Sequence, residues 1–170
     1  MFLVALTLNG CAVFGPQSHV EARNEAMLLY RFSQFVEWPP SIFPNPKAPV
    51  IIGVLGDSSL ANELEKILKD KRINGHSLVV RQLTFYSNFK QCQILFVGTI
   101  DEMRWPTISN ELGVAPVLTV SDADDFLKSG GMIQLTNKNG QMRFAVNQTA
   151  TKKSGLQISS QMLEIAERLQ

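Results

Sequence analysis

Between Gly130 and Asn147, apolar and polar residues alternate about a central Asn139-Gly140 pair. A type I′ turn needs positive φ at both central residues, which makes Asn-Gly the favoured dipeptide there. Centring the turn on it sets Leu135 opposite Phe144 and Ile133 opposite Val146, with Gln134, Thr136, Arg143 and Ala145 on the other face. The pattern predicts a β-hairpin. Downstream, Ile158, Met162, Ile165, Ala166 and Leu169 recur at helical spacing, with Ser159 or Ser160 as cap. That stripe predicts a C-terminal helix lying on the sheet that carries the hairpin.

The chain ahead of the hairpin alternates between two other patterns. From Glu21, Leu28, Phe32, Phe35 and Val36 fall at the helical period, with Arg23, Glu25, Arg31 and Gln34 around them. Trp38 and the Pro39-Pro40 pair stop this helix, because a residue before proline is pushed out of the α region. Ser41 to Pro49 reads as an ordered loop. Val50 to Leu55 is a short buried strand, followed by a helix with Leu60, Leu64, Ile67 and Leu68 on one face. Asn74-Gly75 turns into a strand over Ser77 to Leu83, and Thr84 to Lys90 reads as a loop. Gln93 to Gly98 is a continuous apolar run, as a strand covered on both faces would be. Asp101 to Leu112 is helical with a break at Pro106. Val117 to Val120 is a further buried strand, and Ser121 or Asp122 caps a short helix ended by Gly130-Gly131. The result is a single-domain α/β fold: a mixed, mostly parallel sheet of about six strands flanked by helices, with the hairpin and a last helix at the C-terminus.

Composition narrows the function. At 170 residues the chain suits one domain with a self-sufficient core. Charged residues make up 18% and the net charge is +1, so electrostatics gives no case for a nucleic-acid partner. Two cysteines and two histidines exclude a disulfide framework and most histidine- or cysteine-rich metal centres. Met1 to Leu8 is almost wholly apolar but too short to span a bilayer, which suits an export signal. Leu8-Asn9-Gly10-Cys11 then resembles a lipobox, with Cys11 as the lipidated first residue of the mature chain, although the basic segment that usually precedes one is missing. Residues 1–20 are thus expected to be signal and tether, and 21–170 the domain.

The chemical candidates are sparse. Gly53 to Asp57 sits where a strand runs into a helix, a natural place for helix N-terminal amides to bind an anion. It lacks the dinucleotide glycines and the Walker lysine, and Asp57 serves equally as a helix cap. Asp122, Asp124 and Asp125 lack the glycine and terminal glutamate of a calcium loop; acids in a first helical turn suit the helix dipole. Ser159-Ser160 has no activating base within reach of the pattern, and capping explains it better. Cys92 is either a buried thiol or a site of pairing between molecules. Neither a catalytic constellation nor a cofactor or metal site is expected. Trp38, Phe43, Trp105 and the group Phe85, Tyr86 and Phe89 are either core or a partner surface, since aromatics are enriched in interface cores.

Several of these segments also carry a family resemblance. Leu29 to Pro39, Ile52 to Asp57, Cys92 to Val97, Pro116 to Asp122, Gly130 to Ile133, Asn147 and Gly155 to Leu163 follow in an order that resembles the YfiR-like family of bacterial periplasmic regulators. The resemblance implies a repressor that binds the periplasmic sensor domain of an inner-membrane diguanylate cyclase and lowers cyclic-di-GMP output, with effects on biofilm and motility. It implies export to the periplasm, with a lipid anchor at Cys11 as an added expectation; a homodimer is left open. Family members often carry disulfide-forming cysteines that this chain lacks. Glu164 and Glu167, on the outer face of the last helix, join the partner-surface candidates. The rival reading is a small-ligand sensor module with its site at Gly56, Asp57 and Ser121, because open α/β sheets bind ligands at the carboxyl ends of their strands.

Overall fold

The computed structural model describes the backbone of residues 16–167, and the side chains in that span except those of 16–18 and 100–102. The first element is helix α1, Pro16–Phe35. It takes in residues 16–20, which the sequence pattern assigned to a tether. Its buried face carries Ala22, Glu25, Ala26, Leu29, Phe32 and Ser33, which recur at the helical period. Val36–Glu37 leaves the helix as strand β1. There follow β2 (Val50–Leu55), α2 (Ser58–Leu68), β3 (Arg72–Ile73), β4 (His76–Leu83), β5 (Ile94–Val97), α3 (Trp105–Leu112) and β6 (Leu118–Ser121). The hairpin strands β7 (Ile133–Lys138) and β8 (Gln141–Val146), then α4 (Gln148–Lys153), β9 (Gln157–Ile158) and α5 (Ser160–Ile165) complete the chain.

Seven strands form one sheet in the order β3-β4-β2-β5-β6-β7-β8, and β1 pairs with β9 in a separate ribbon. The pairs of β2 with β4 and β5, of β5 with β6, and of β6 with β7 are parallel. The turns at Asn74-Gly75 and Asn139-Gly140 make the two outer pairs antiparallel. The mixed, mostly parallel α/β sheet expected from the pattern is the observed one. Every residue of β5 and of β6 is buried, because layers cover both faces. On one side α1 and α2 bring Leu29, Phe32, Leu60 and Leu64 onto Ile52, Phe96 and Val120. On the other, α3 and the segment before β7 bring Trp105, Ile108 and Phe126 onto Leu55, Leu95 and Val97.

The hairpin has the predicted register, with Leu135 paired to Phe144 and Ile133 to Val146. Asn139 and Gly140 both take positive φ, 54° and 80°. Three expectations need correction. Between Asp122 and Gly130 there is no helix but a run of turns. Asp125 there adopts φ 59°, which breaks helical continuity, and Phe126 packs inward against Trp105. The C-terminal helix is also shorter than its stripe. Ile158 belongs to β9, where it pairs with Val36, and α5 ends at Ile165 with Ala166 extended. The N–H of Glu167 donates to the Phe144 carbonyl at 2.8 Å, so the edge of β8 captures the chain and draws it out of the helix. Finally, Gln148–Lys153, to which the pattern assigned no element, is a helix capped by Asn147, whose Oδ1 accepts from Ala150 N–H at 3.0 Å.

Candidate functional site

Two places gather residues that the sequence singles out: the carboxyl ends of the parallel strands, and the aromatic-bearing loops. At the first, the chain leaves β2 for α2 on one face and β5 for α3 on the other. The strand order therefore reverses between β2 and β5, which is where open α/β sheets form a ligand crevice. Here that crevice is narrow. Gly98 N–H donates to Leu55 O at 2.8 Å, and a Cβ on Gly98 would come within 3.3 Å of the Gly56 backbone. Gly56 itself takes φ 84°.

Gly56, Asp57 and Ser121 lie together at this edge, and the polar groups of the latter two are already committed to the main chain. Asp57 Oδ1 accepts from Leu60 N–H at 2.9 Å and caps α2. The buried Ser121 hydroxyl donates to Val97 O at 2.6 Å and accepts from Ala123 N–H at 3.0 Å, tying β6 to β5. Asp122 follows it and accepts from Thr99.

The residue that sequence reasoning missed here is Glu25. Placed with the polar face of α1, it is in fact only 8% exposed and accepts no hydrogen bond from a described residue. Burial, then the nearby Asp122, Asp57 and Glu21 carboxylates, push its pKa up to about 8. Its carboxyl is therefore protonated at neutral pH. Asp122 is exposed as a residue, yet local desolvation pushes its carboxyl upward against the opposing Thr99 hydrogen bonds. A signal for Glu25 was available, since Glu25, Leu29, Phe32 and Val36 share the spacing of one helical stripe. With Glu25 neutral, it is the Asp57 and Asp122 carboxylates at this edge that argue against a phosphate at the start of α2. Among the described residues no group of His, Cys, Asp and Glu is arranged to hold a metal ion.

The aromatic candidates fall into separate environments. Trp38 is half-buried and donates its indole N–H to Gln93 O at 3.0 Å. Phe43 stacks on His76 with ring centroids 4.4 Å apart, beside a cleft of about 440 Å³ that also touches Ile51, Arg81 and Cys92. Phe85 packs edge-on against Tyr86 and lies under the Arg104 guanidinium. Tyr86 is 94% exposed, and Met103, which the pattern did not single out, is equally so. Phe89, grouped with them from sequence, is wholly buried. Trp105 is also core: it is 4% exposed, donates to Ser129 O at 2.9 Å and tilts against Phe126. Glu164 is exposed on α5. Glu167 lies past the helix end, ion-paired to Lys138 at 3.2 Å and Arg143 at 3.3 Å. Cys92 is a buried free thiol, its pKa pushed up to about 11 by burial. Cys11 and its lipobox lie outside the described residues. No described helix is long and apolar enough to cross a membrane.

Comparison with known proteins adds the family. A protein-family model described as YfiR/HmsC-like matches residues 22–167. Among solved structures, the chain is similar to a conserved domain protein from Vibrio cholerae O1 biovar El Tor, at 16% identity and a TM-score of 0.46. That likeness covers 85% of this chain and 58% of the other, so this chain spans little more than half of its neighbour's length. No curated protein matches.

Proposed function

The chain belongs to the YfiR/HmsC-like family, and on that basis we propose that it is a periplasmic binding protein that represses an inner-membrane diguanylate cyclase. Membership supports a regulatory role in cyclic-di-GMP signalling. The family match across nearly the whole described domain is the observation that carries the reading.

Such a role works through a population shift. A repressor that binds the inactive arrangement of the cyclase's periplasmic sensor domain more tightly than the active one moves the equilibrium by that difference in affinity. It requires a docking surface, not a nucleophile. Exposed Tyr86, half-buried Phe85, Phe43 and Trp38, and the outer face of α5 at Glu164, are the candidates that remain accessible. Trp105 is withdrawn into the core, and Glu167 is occupied by its two ion pairs. The apolar segment before Cys11 supports export, with lipid attached at Cys11.

Deleting the gene should raise cellular cyclic-di-GMP, and restoring the exported protein should lower it. A copy without the apolar segment Met1 to Leu8 should not complement. Unchanged cyclic-di-GMP in the deletion, with no membrane cyclase co-purifying from detergent extracts, overturns the repressor reading. Fatty-acid labelling should mark the wild type and not Cys11→Ser; equal labelling of the two overturns lipid attachment at Cys11.

A further inference from the structure

Strand β4 pairs with β2 from Leu78 to Leu83, on one side only. On its other side β3 reaches just Ser77 and His76. Among the described residues, nothing pairs with the stretch from Leu78 to Leu83 on that side. The phase of the exposed groups follows from the turn. Asn74 and Gly75 take φ 50° and 86°, a two-residue loop whose flanking residues Ile73 and His76 exchange both hydrogen bonds. Main-chain groups alternate sides along a strand, so those of Leu78, Val80 and Gln82 point to the open side.

Unpaired edges invite a further strand, and proteins usually blunt them. This one is bordered by cations that have no carboxylate partner among the described residues. Lys69, Lys71 and Arg72 line a cleft of about 440 Å³ against Leu78 and Val80. Lys71 lies 5.1 Å over the Tyr30 ring and Arg72 donates to Gly75 O at 3.1 Å. On the opposite face of the edge, Arg81 donates to the neutral Gln91 side chain at 3.1 Å. Glu65 and Asp70 share the cleft and are outnumbered. Val79, 37% exposed, supplies an apolar position between the charged groups.

We propose that the open edge of β4 binds an extended acidic segment of a partner protein by adding it to the sheet as a further strand. Main-chain hydrogen bonds to Leu78, Val80 and Gln82 hold the segment, and the bordering cations select carboxylate side chains. A second copy of this chain is the wrong occupant, because two such edges in one seam would bring like charges together. The proposal deepens the regulatory reading by naming a docking surface, and rests on it only for the partner's place in the cell.

Amide hydrogen exchange on the full chain tests it. The probe is a peptide about six residues long, alternating valine and glutamate, compared with the same peptide carrying lysine for glutamate. The acidic peptide should slow exchange at Leu78, Val80 and Gln82 by about tenfold or more. The lysine peptide should not. The combined variant Lys69→Glu, Lys71→Glu, Arg72→Glu should lose the effect while its β5 amides keep wild-type protection. No slowing at these three amides, or equal slowing by both peptides, overturns the proposal. Protection that grows with protein concentration in the absence of peptide also overturns it, in favour of a second copy. None of these outcomes depends on cyclic-di-GMP, so the edge and the regulatory reading fail separately.

Discussion

The indole N–H of Trp38 reaches the main-chain carbonyl of Gln93 at 3.0 Å, the same carbonyl that accepts the N–H of Leu118 at 2.9 Å. Gln93 is also held through its side chain, whose Oε1 accepts from Ile51 N–H at 2.7 Å, and through its own N–H, which donates to Ile51 O. One buried glutamine thus clamps the amino ends of β2, β5 and β6, and Trp38 locks the clamp from the segment after β1.

Gln93→Leu keeps the volume and removes the acceptor, leaving the Ile51 N–H short of a partner. It should cost about 1–3 kcal/mol. Trp38→Phe, which removes the indole donor together with part of the ring packed on the core, should cost about 1–2 kcal/mol. Urea unfolding at neutral pH measures both; a Gln93→Leu midpoint equal to the wild type would show that the clamp carries no stability.

Glu25 makes stability depend on pH in a defined direction. Its folded pKa, about 8, lies above the usual 4.5, so between those values the native state holds a proton that the unfolded chain has released. Stability is fully present below about pH 4.5 and declines as pH rises through about 8. Glu25→Gln removes that decline. Relative to the wild type, the variant should gain on the order of a few kcal/mol across this window. Parallel stability curves for the two proteins would remove Glu25 as the titrating group.

Gly131 is forced by its neighbour. A Cβ there would sit 2.2 Å from a ring carbon of Phe126, and that ring is backed by Trp105 at 4.6 Å between centroids. Gly131→Ala should therefore cost about 1–3 kcal/mol as overpacking. Pairing it with Phe126→Leu should recover part of that loss in a thermal melt, whereas additive losses would show that the clash is not with this ring.

At the hairpin, Gly140→Val should cost about 1–2 kcal/mol, because a β-branched residue resists φ 80°. Lys138→Val loses an ion pair with Glu167 in which the lysine is largely exposed, and should cost less than about 1 kcal/mol. Equal shifts in melting temperature would mean that the turn conformation is not what holds the register.

What could be read beforehand was what local chemistry decides. Asn139-Gly140 and the alternation around it agreed on one register, the apolar run from Gln93 to Gly98 announced a strand covered on both faces, and Val117 to Val120 announced a further buried one. What could not be read was decided by residues far away in the chain. Trp105 is core because Phe126 meets it, and Phe126 turns inward where a capped helix was expected. The last helix stops because the Phe144 carbonyl claims the Glu167 N–H. Helix α4 has only Thr151 buried and so offered no apolar stripe to recognise. At the candidate site, Gly56, Asp57 and Ser121 were foreseen together from the rule for parallel strands. The acidity of the place was not, because Glu25 joins Asp57 and Asp122 only once α1 has crossed the sheet.

The ribbon of β1 with β9 has a consequence for the order in which the chain acquires its shape. Val36 finds its partner in Ile158, and Phe32 meets the Phe144 ring edge-on at 5.0 Å. The first helix therefore waits for nearly the last segments before its apolar stripe is fully covered, and contacts so distant in sequence close slowly. A chain cut short before Phe144 loses both contacts at once, and its leading helix then keeps an exposed stripe that quality-control proteases can find.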